Sequence, residues 1–249
     1  MNKIILCEGK TDVYILGYFL INQYNWKHGK QDKKKEFFKI TSENEVIEWY
    51  TNEQNTLGIW GVGGIDNIHQ KLSKVIERNS SEPNEENHFK SIVLMLDRDM
   101  KSEDECISEC NEWLKKSKIV IDNFQIGKWI NAKQKLSSNI DRYIEIDILG
   151  ITIPPDKNGA LERFLIDALE EKEKEKIFFD KTRALINDIK NISYLKKRRY
   201  ADKAQLGCIF SIMSPDWIFT MLDEKLNKIE WQKLPTVLET FQELNKLIL

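Results

Sequence analysis

The chain has 249 residues, 31% of them charged, with a formal net charge of −2. That length can bury a sizeable core without a partner, and the near-neutral balance argues against the broad basic coat of a nonspecific nucleic-acid binder. No apolar stretch approaches the roughly 18 residues of a membrane span, and four cysteines without a CxxC pair, with only three histidines, indicate neither a structural zinc site nor a disulfide framework.

Met1-Asn2-Lys3 leads straight into a strand-like run with no signal-peptide pattern, so a soluble cytoplasmic protein is expected. The apolar run Ile4-Ile5-Leu6-Cys7 then ends in Glu8-Gly9-Lys10-Thr11-Asp12. Apolar spacing predicts a helix from Asp12 to about Tyr24, and a polar loop containing Lys33-Lys34-Lys35 follows. Next come an expected short strand over Glu36 to Thr41, a short helix over Glu43 to Tyr50 and a strand over Leu57 to Val62. The last ends in Gly61-Val62-Gly63-Gly64 before an amphipathic helix from Ile65 to Arg78. Asn79 to Asn87, rich in Ser, Glu, Asn and Pro, reads as a loop.

A second apolar run, Ile92 to Leu96, also ends in acid, at Asp97-Arg98-Asp99. Glu103 to Lys116 has helical periodicity, and Asn123 to Ile126 and Tyr143 to Ile153 resemble strands. Strands alternating with helices imply βαβ units. From Pro154 helices dominate, beginning with Ala160 to Leu169, so residues 1–153 are expected to form an α/β core and 154–249 a helical lobe packed on it. The Glu/Lys alternation from Glu170 to Lys176 is a solvated face. Lys196-Lys197-Arg198-Arg199, flanked by Tyr194 and Tyr200, combines the cations and aromatic faces that suit a phosphate backbone.

Both acidic segments follow strands of the buried, continuous type found in parallel sheets. The carboxyl ends of neighbouring parallel strands form one crevice, so Glu8, Asp12, Asp97 and Asp99 can converge although about 90 residues separate the two groups. Converging carboxylates repel unless a cation sits among them, and oxygen ligands favour Mg2+ or Mn2+. Gly9-Lys10-Thr11 is not a phosphate-binding P-loop, because Ile4 stands where that motif needs glycine. An aspartyl-phosphate mechanism fits poorly too, since Asp97-Arg98-Asp99 lies deep in the chain and is followed by Met100-Lys101.

A glutamate after a first strand, paired with Asp-x-Asp after a later one, resembles the TOPRIM domain of topoisomerases, primases and several nucleases. The likeness covers roughly residues 1 to 130 and implies a TOPRIM-like, Rossmann-like, mostly parallel sheet flanked by helices, with the C-terminal helical lobe appended. Within that superfamily the Glu-x-x-x-Asp spacing of Glu8 and Asp12 is similar to nucleases of the overcoming-lysogenization-defect kind, and small standalone TOPRIM proteins are the nearest match. The resemblance implies that Gly159-Ala160-Leu161-Glu162 supplies another carboxylate and that Lys203 is a counterpart of the catalytic lysine.

Chemically, Asp97 and Asp99 can splay around one cation, with Glu8 completing the shell or acting as base. Asp12 and Glu162 can hold a second ion, two ions about 3.5 to 4 Å apart being suited to phosphodiester hydrolysis. Lys203 or Lys10 can neutralise charge developing on the phosphate. Asp12 and Glu162 equally suit the first turns of helices, and Gly63 and Gly64 suit either a tight turn or close approach of a phosphate. The resulting expectation is a metal-dependent nuclease acting on DNA rather than RNA, with no membrane partner and with a homodimer or separate partner protein as candidate assemblies. The alternative is a non-catalytic metal- or nucleic-acid-binding component of a defence or repair system.

Overall fold

The computed structural model describes residues 1–29, 37–136, 142–174, 176–197, 199–217 and 220–248. Arg198 and the Lys33-Lys34-Lys35 run, both singled out in the sequence, lie outside them.

Among the described residues, eight strands form one mixed sheet: β1 (Asn2–Cys7), β2 (Lys27–His28), β3 (Val46–Asn52), β4 (Asn55–Gly61), β5 (Phe89–Asp97), β6 (Ile119–Val120), β7 (Trp129–Lys135) and β8 (Tyr143–Ile153). Their order is β2-β3-β4-β1-β5-β8-β7-β6. The central four, β4, β1, β5 and β8, run parallel, and β3 and β7 run against them. These central strands are buried on both faces, which is why they read as continuous apolar runs rather than alternating ones.

Side-chain alternation assigns each central strand to two cores. Ile5, Cys7, Val93, Met95, Leu149 and Ile151 face one layer, together with α1 (Lys10–Tyr24), α4 (Leu161–Lys172), α5 (Ile177–Ile189), α6 (Tyr200–Met213), α7 (Leu222–Asn227) and α8 (Pro235–Phe241). Ile4, Leu6, Ile92, Leu94 and Ile148 face the opposite layer, built on α2 (Ile68–Ser81) and α3 (Glu103–Lys116). The C-terminal segment is tied across its face by polar bonds as well. Lys3 Nζ donates to the Leu247 carbonyl at 2.7 Å, and Trp129 Nε1 to that of Glu243 at 2.7 Å. No helix among the described residues is long and apolar enough to cross a membrane.

Several expected elements differ. Val46–Asn52 is a strand paired antiparallel with β4, not part of a short helix, and it turns into β4 through Glu53 at φ 51°. Its β-branched and aromatic residues fit a half-buried pleat, and Trp49 packs over Gly58, where a Cβ would lie 2.8 Å from the indole. Phe37 to Thr41 form no strand, although Phe38 is buried against Trp60 and Phe89. The expected loop from Asn79 begins inside α2, because the Asn79 side chain is buried and grips both the N–H and the carbonyl of Phe89. At 123–126 only Ile126 makes a bridge, to Gly150, while the polar β7 had not been expected.

Candidate active site

The carboxyl ends of β1 and β5 lie side by side, with Leu6 paired to Leu94, so both acidic turns open into one crevice. Glu8 follows β1 and Asp97 closes β5. The Asp97 N–H donates to Glu8 Oε1 at 3.0 Å, which joins the two turns directly. Gly63 and Gly64, in the turn after β4, have φ of 81° and 123° and donate both amides to the Glu8 carbonyl at 3.0 and 2.9 Å. Those amides therefore brace Glu8, and the tight-turn role accounts for the glycines.

Asp99 sits just beyond, at φ 55°, and exchanges two backbone hydrogen bonds with Gly159 at 2.5 and 2.7 Å. That bridge brings the start of α4 to the crevice. The Leu161 N–H, in the first turn of α4, donates to Asp97 Oδ1 at 3.0 Å. Glu162 is the next residue, and Lys203 from α6 lies 3.5 Å from its Oε1. From the other side Asp12, in the first turn of α1, accepts from the Gly9 N–H at 2.7 Å. Two helix N-termini thus aim partial positive charge at buried carboxylates.

The strongest contacts come from Arg199. Its Nε and Nη2 grip Asp99 in a two-pronged pair at 2.9 and 2.6 Å, its Nη1 bonds Asp97 Oδ2 at 2.6 Å, and its Nη2 lies 3.6 Å from Glu8 Oε2. One planar guanidinium spans three acids, a geometry that lysine could not supply. Arg199 occupies the position just before α6 with φ 69°, a left-handed conformation costly for a side chain of that size.

Even so, the negative charge is under-compensated. Burial, reinforced by Asp12 and Glu8, pushes the Asp97 carboxyl well above its ordinary range despite Arg199. Burial raises Glu8 as well, against the pull of Arg199 and of the Asp97 N–H. Asp12 is raised from 3.8 to about 7, by burial first and then by the charges of Glu8 and Glu162, although the Gly9 N–H opposes the shift. Behind them the buried Cys7 thiol is pushed up by burial and by the same acids.

All five acids singled out in the sequence therefore belong to one neighbourhood, and Lys203 borders it. Arg199 was expected to contact phosphate and instead points into the acids. Nothing in the sequence distinguishes it from its neighbours in the Lys196 to Arg199 run. Lys196 and Lys197 are exposed, Lys197 stacking over the Tyr200 ring at 5.6 Å, and Lys10 is exposed on α1. Beside the acids a cavity of about 300 Å3 is lined by Thr11, Glu162, Lys203, Leu206, Gly207 and Phe210, among others. A larger cleft of about 710 Å3, near Ser80, Lys115 and Lys118, shares no residue with the acids. Among the described residues, no three His, Cys, Asp or Glu side chains form a ready-made metal-binding group. The oxygens of Asp97 and Asp99 are aimed instead at the arginine fork and at backbone N–H groups.

A family model described as "Protein of unknown function (DUF3226)" matches residues 2–241, nearly the whole chain. The chain belongs to this family. A structure of a similar fold is that of hypothetical protein PH0156 from Pyrococcus horikoshii OT3, with a TM-score of 0.60 and 17% identity over 99% of this chain and 96% of that one. The DUF3226 chain thus has a fold already seen in a crystal. The cytosolic domain of the T. maritima FeoB iron transporter in its apo form aligns at 11% identity over 100% of this chain and 96% of that one, but a TM-score of 0.19 gives no basis for a shared fold. No curated protein matches the DUF3226 chain.

Proposed function

We propose that this chain is a divalent-metal-dependent phosphodiester hydrolase acting on DNA, or on RNA, on a TOPRIM-like core. One observation carries the proposal: Glu8, Asp12, Asp97 and Asp99 are buried together at the carboxyl ends of β1 and β5, and burial with the charges of neighbouring acids keeps the Glu8, Asp12 and Asp97 carboxyls raised despite Arg199. Perturbed carboxyls gathered in a crevice are what acid, base and metal chemistry need. The donors are all hard oxygens, so they fit Mg2+ or Mn2+ in chemistry, although their present aim at Arg199 means that Asp97 and Asp99 must give up the guanidinium to ligate. Glu8, Asp97 and Asp99 would hold the ion, with Asp12 and Glu162 available to a second. Such an ion supplies an activated water and charge stabilisation when bound.

The chain's own groups do the rest. The Leu161 N–H fixes one oxygen of Asp97, the Asp97 N–H fixes Glu8, and the Gly9 N–H fixes Asp12, so the acids are preorganised by backbone. With a single ion bound by Glu8, Asp97 and Asp99, Asp12 would remain free of metal and, raised by burial to about 7, be suited to general acid–base work. Lys203 is placed at the rim to take charge developing on a phosphate oxygen, and Lys196 and Lys197 offer exposed cations to the rest of the polyanion.

A second reading is favoured by Arg199 itself. A cluster already paired with an arginine suits a non-catalytic binding component that works with a separate partner. Assaying cleavage of labelled single-stranded DNA, duplex DNA and RNA with Mg2+, Mn2+ or chelator separates the two. The enzyme reading expects ion-dependent cleavage lost in Asp97→Ala. Nucleic-acid binding without cleavage under any ion would overturn it.

A further inference from the structure

We infer, on the basis of that functional reading, that Arg199 and the divalent ion are alternative occupants of one carboxylate cluster, and that a phosphodiester anion helps the exchange by taking the arginine. Three facts of geometry converge. The guanidinium satisfies the same oxygens, on Asp97 and Asp99, that a metal would need. A positive ion entering beside it would meet direct repulsion at the distances of these contacts, so the two compete for Asp97 and Asp99. The backbone that delivers the arginine is itself strained, at φ 69°, and no side chain caps α6 there.

The segment that delivers Arg199 is far more exposed than the acids. Asp97, Asp99 and Glu8 are fixed to central strands and to the first turn of α4, whereas Arg199 follows a stretch in which Ile192, Ser193, Tyr194, Lys196 and Lys197 are all exposed. Helix α6 is anchored by Leu206, Ile209 and Phe210 in the core and by the 2.9 Å Asp202–Arg163 ion pair in its first turn, so release requires only the side chain of Arg199, which precedes the helix, to turn outward. Once out, Arg199 joins Lys196 and Lys197, and its fork matches two oxygens of a phosphate. By linkage, a polyanion that holds Arg199 outside must tighten metal binding, and the metal must tighten polyanion binding by the same factor.

The test is Mn2+ affinity, read by calorimetry or by the electron paramagnetic resonance of free Mn2+, on the full chain and on Arg199→Ala, Arg199→Gln and Arg199→Lys. Removing the guanidinium is expected to tighten Mn2+ binding at least tenfold in the alanine and glutamine variants. The lysine variant, still charged but without the fork, should fall between them and the unaltered chain. Mn2+ should also raise the melting temperature more in Arg199→Gln than in the unaltered chain, which reads the exchange without any activity. If the unaltered chain binds Mn2+ as tightly as the variants, the exchange is refuted while the cation site stands. If none of the folded proteins binds Mn2+, the functional reading fails and the exchange with it.

Discussion

Asp12 offers a measurement of what burial, together with the neighbouring acids, costs in the acidic crevice. Its carboxyl is 5% exposed and holds its proton to about 7, against 3.8 in the unfolded chain. Below 3.8 both states are protonated and nothing is lost. As pH rises towards 7 the unfolded chain ionises while the folded one keeps its proton, so the folded state binds more protons and stability falls. Each tenfold change in proton affinity is worth about 1.4 kcal/mol, so the loss is on the order of 1 to 2 kcal/mol by pH 5 and about 4 kcal/mol by pH 8, the latter an upper bound. Asp12→Asn keeps an oxygen for the Gly9 N–H and removes the charge. In chelator, urea unfolding should therefore show the variant more stable than the unaltered chain, by a margin that widens by about 2 to 3 kcal/mol between pH 5 and pH 8. A margin that stays constant or narrows over that range would refute the assignment of Asp12 to a buried, repulsive cluster.

Three further outcomes test the rest of the fold. Asn79→Ala strands the N–H and carbonyl of Phe89 and Gln134 Oε1, all buried, and should cost about 3 kcal/mol or more in urea unfolding. Lys71→Ala leaves the Glu45 carboxylate buried beside Thr41 without its 2.6 Å partner and should cost about 3–5 kcal/mol, much of it regained when Lys71→Met is combined with Glu45→Leu. Gly207→Ala adds a Cβ that meets no atom within 4 Å, inside α6, and should stabilise by about 1 kcal/mol, seen as a melting temperature higher by roughly 2–4 °C.

Where one physical constraint dominated, the sequence was easy to read. Tyr143–Ile153 and Glu103–Lys116 have the bounds expected of them, because a buried strand and a helix with Ser102 as its cap carry their own signals. Val46–Asn52 was misread because Val46, Ile47, Trp49 and Tyr50 also satisfy a helical spacing, and only pairing with β4 decides between the two. β7 was missed because WINAKQK is largely polar, its place set by ladder bonds to β8 rather than by its own hydrophobicity. The convergence of Glu8 with Asp97 followed from parallel-strand geometry alone. Arg199 did not, since its place depends on how α6 docks, and four adjacent cations look alike in one dimension.

The contrast between the acidic crevice and the other buried polar groups is what singles out the crevice as the candidate site. Lys71 and Glu45 neutralise each other, and Asn79 and Gln134 pair with each other and with backbone. The acids at the ends of β1 and β5 are held differently: two helix first turns, one strand-end amide and one strained arginine converge on them, and burial and mutual repulsion still leave the Asp12 and Asp97 carboxyls raised. Their backbones cannot relax apart, because β1 and β5 are locked at the centre of the sheet between two packed helical layers. A fold that needed only stability could replace Asp97 with an apolar residue, as it does at Leu96. Keeping charge there costs free energy, and under the proposed function that cost would be offset when a cation and a phosphate arrive together, with the site's acids and its arginine acting as parts of one exchange.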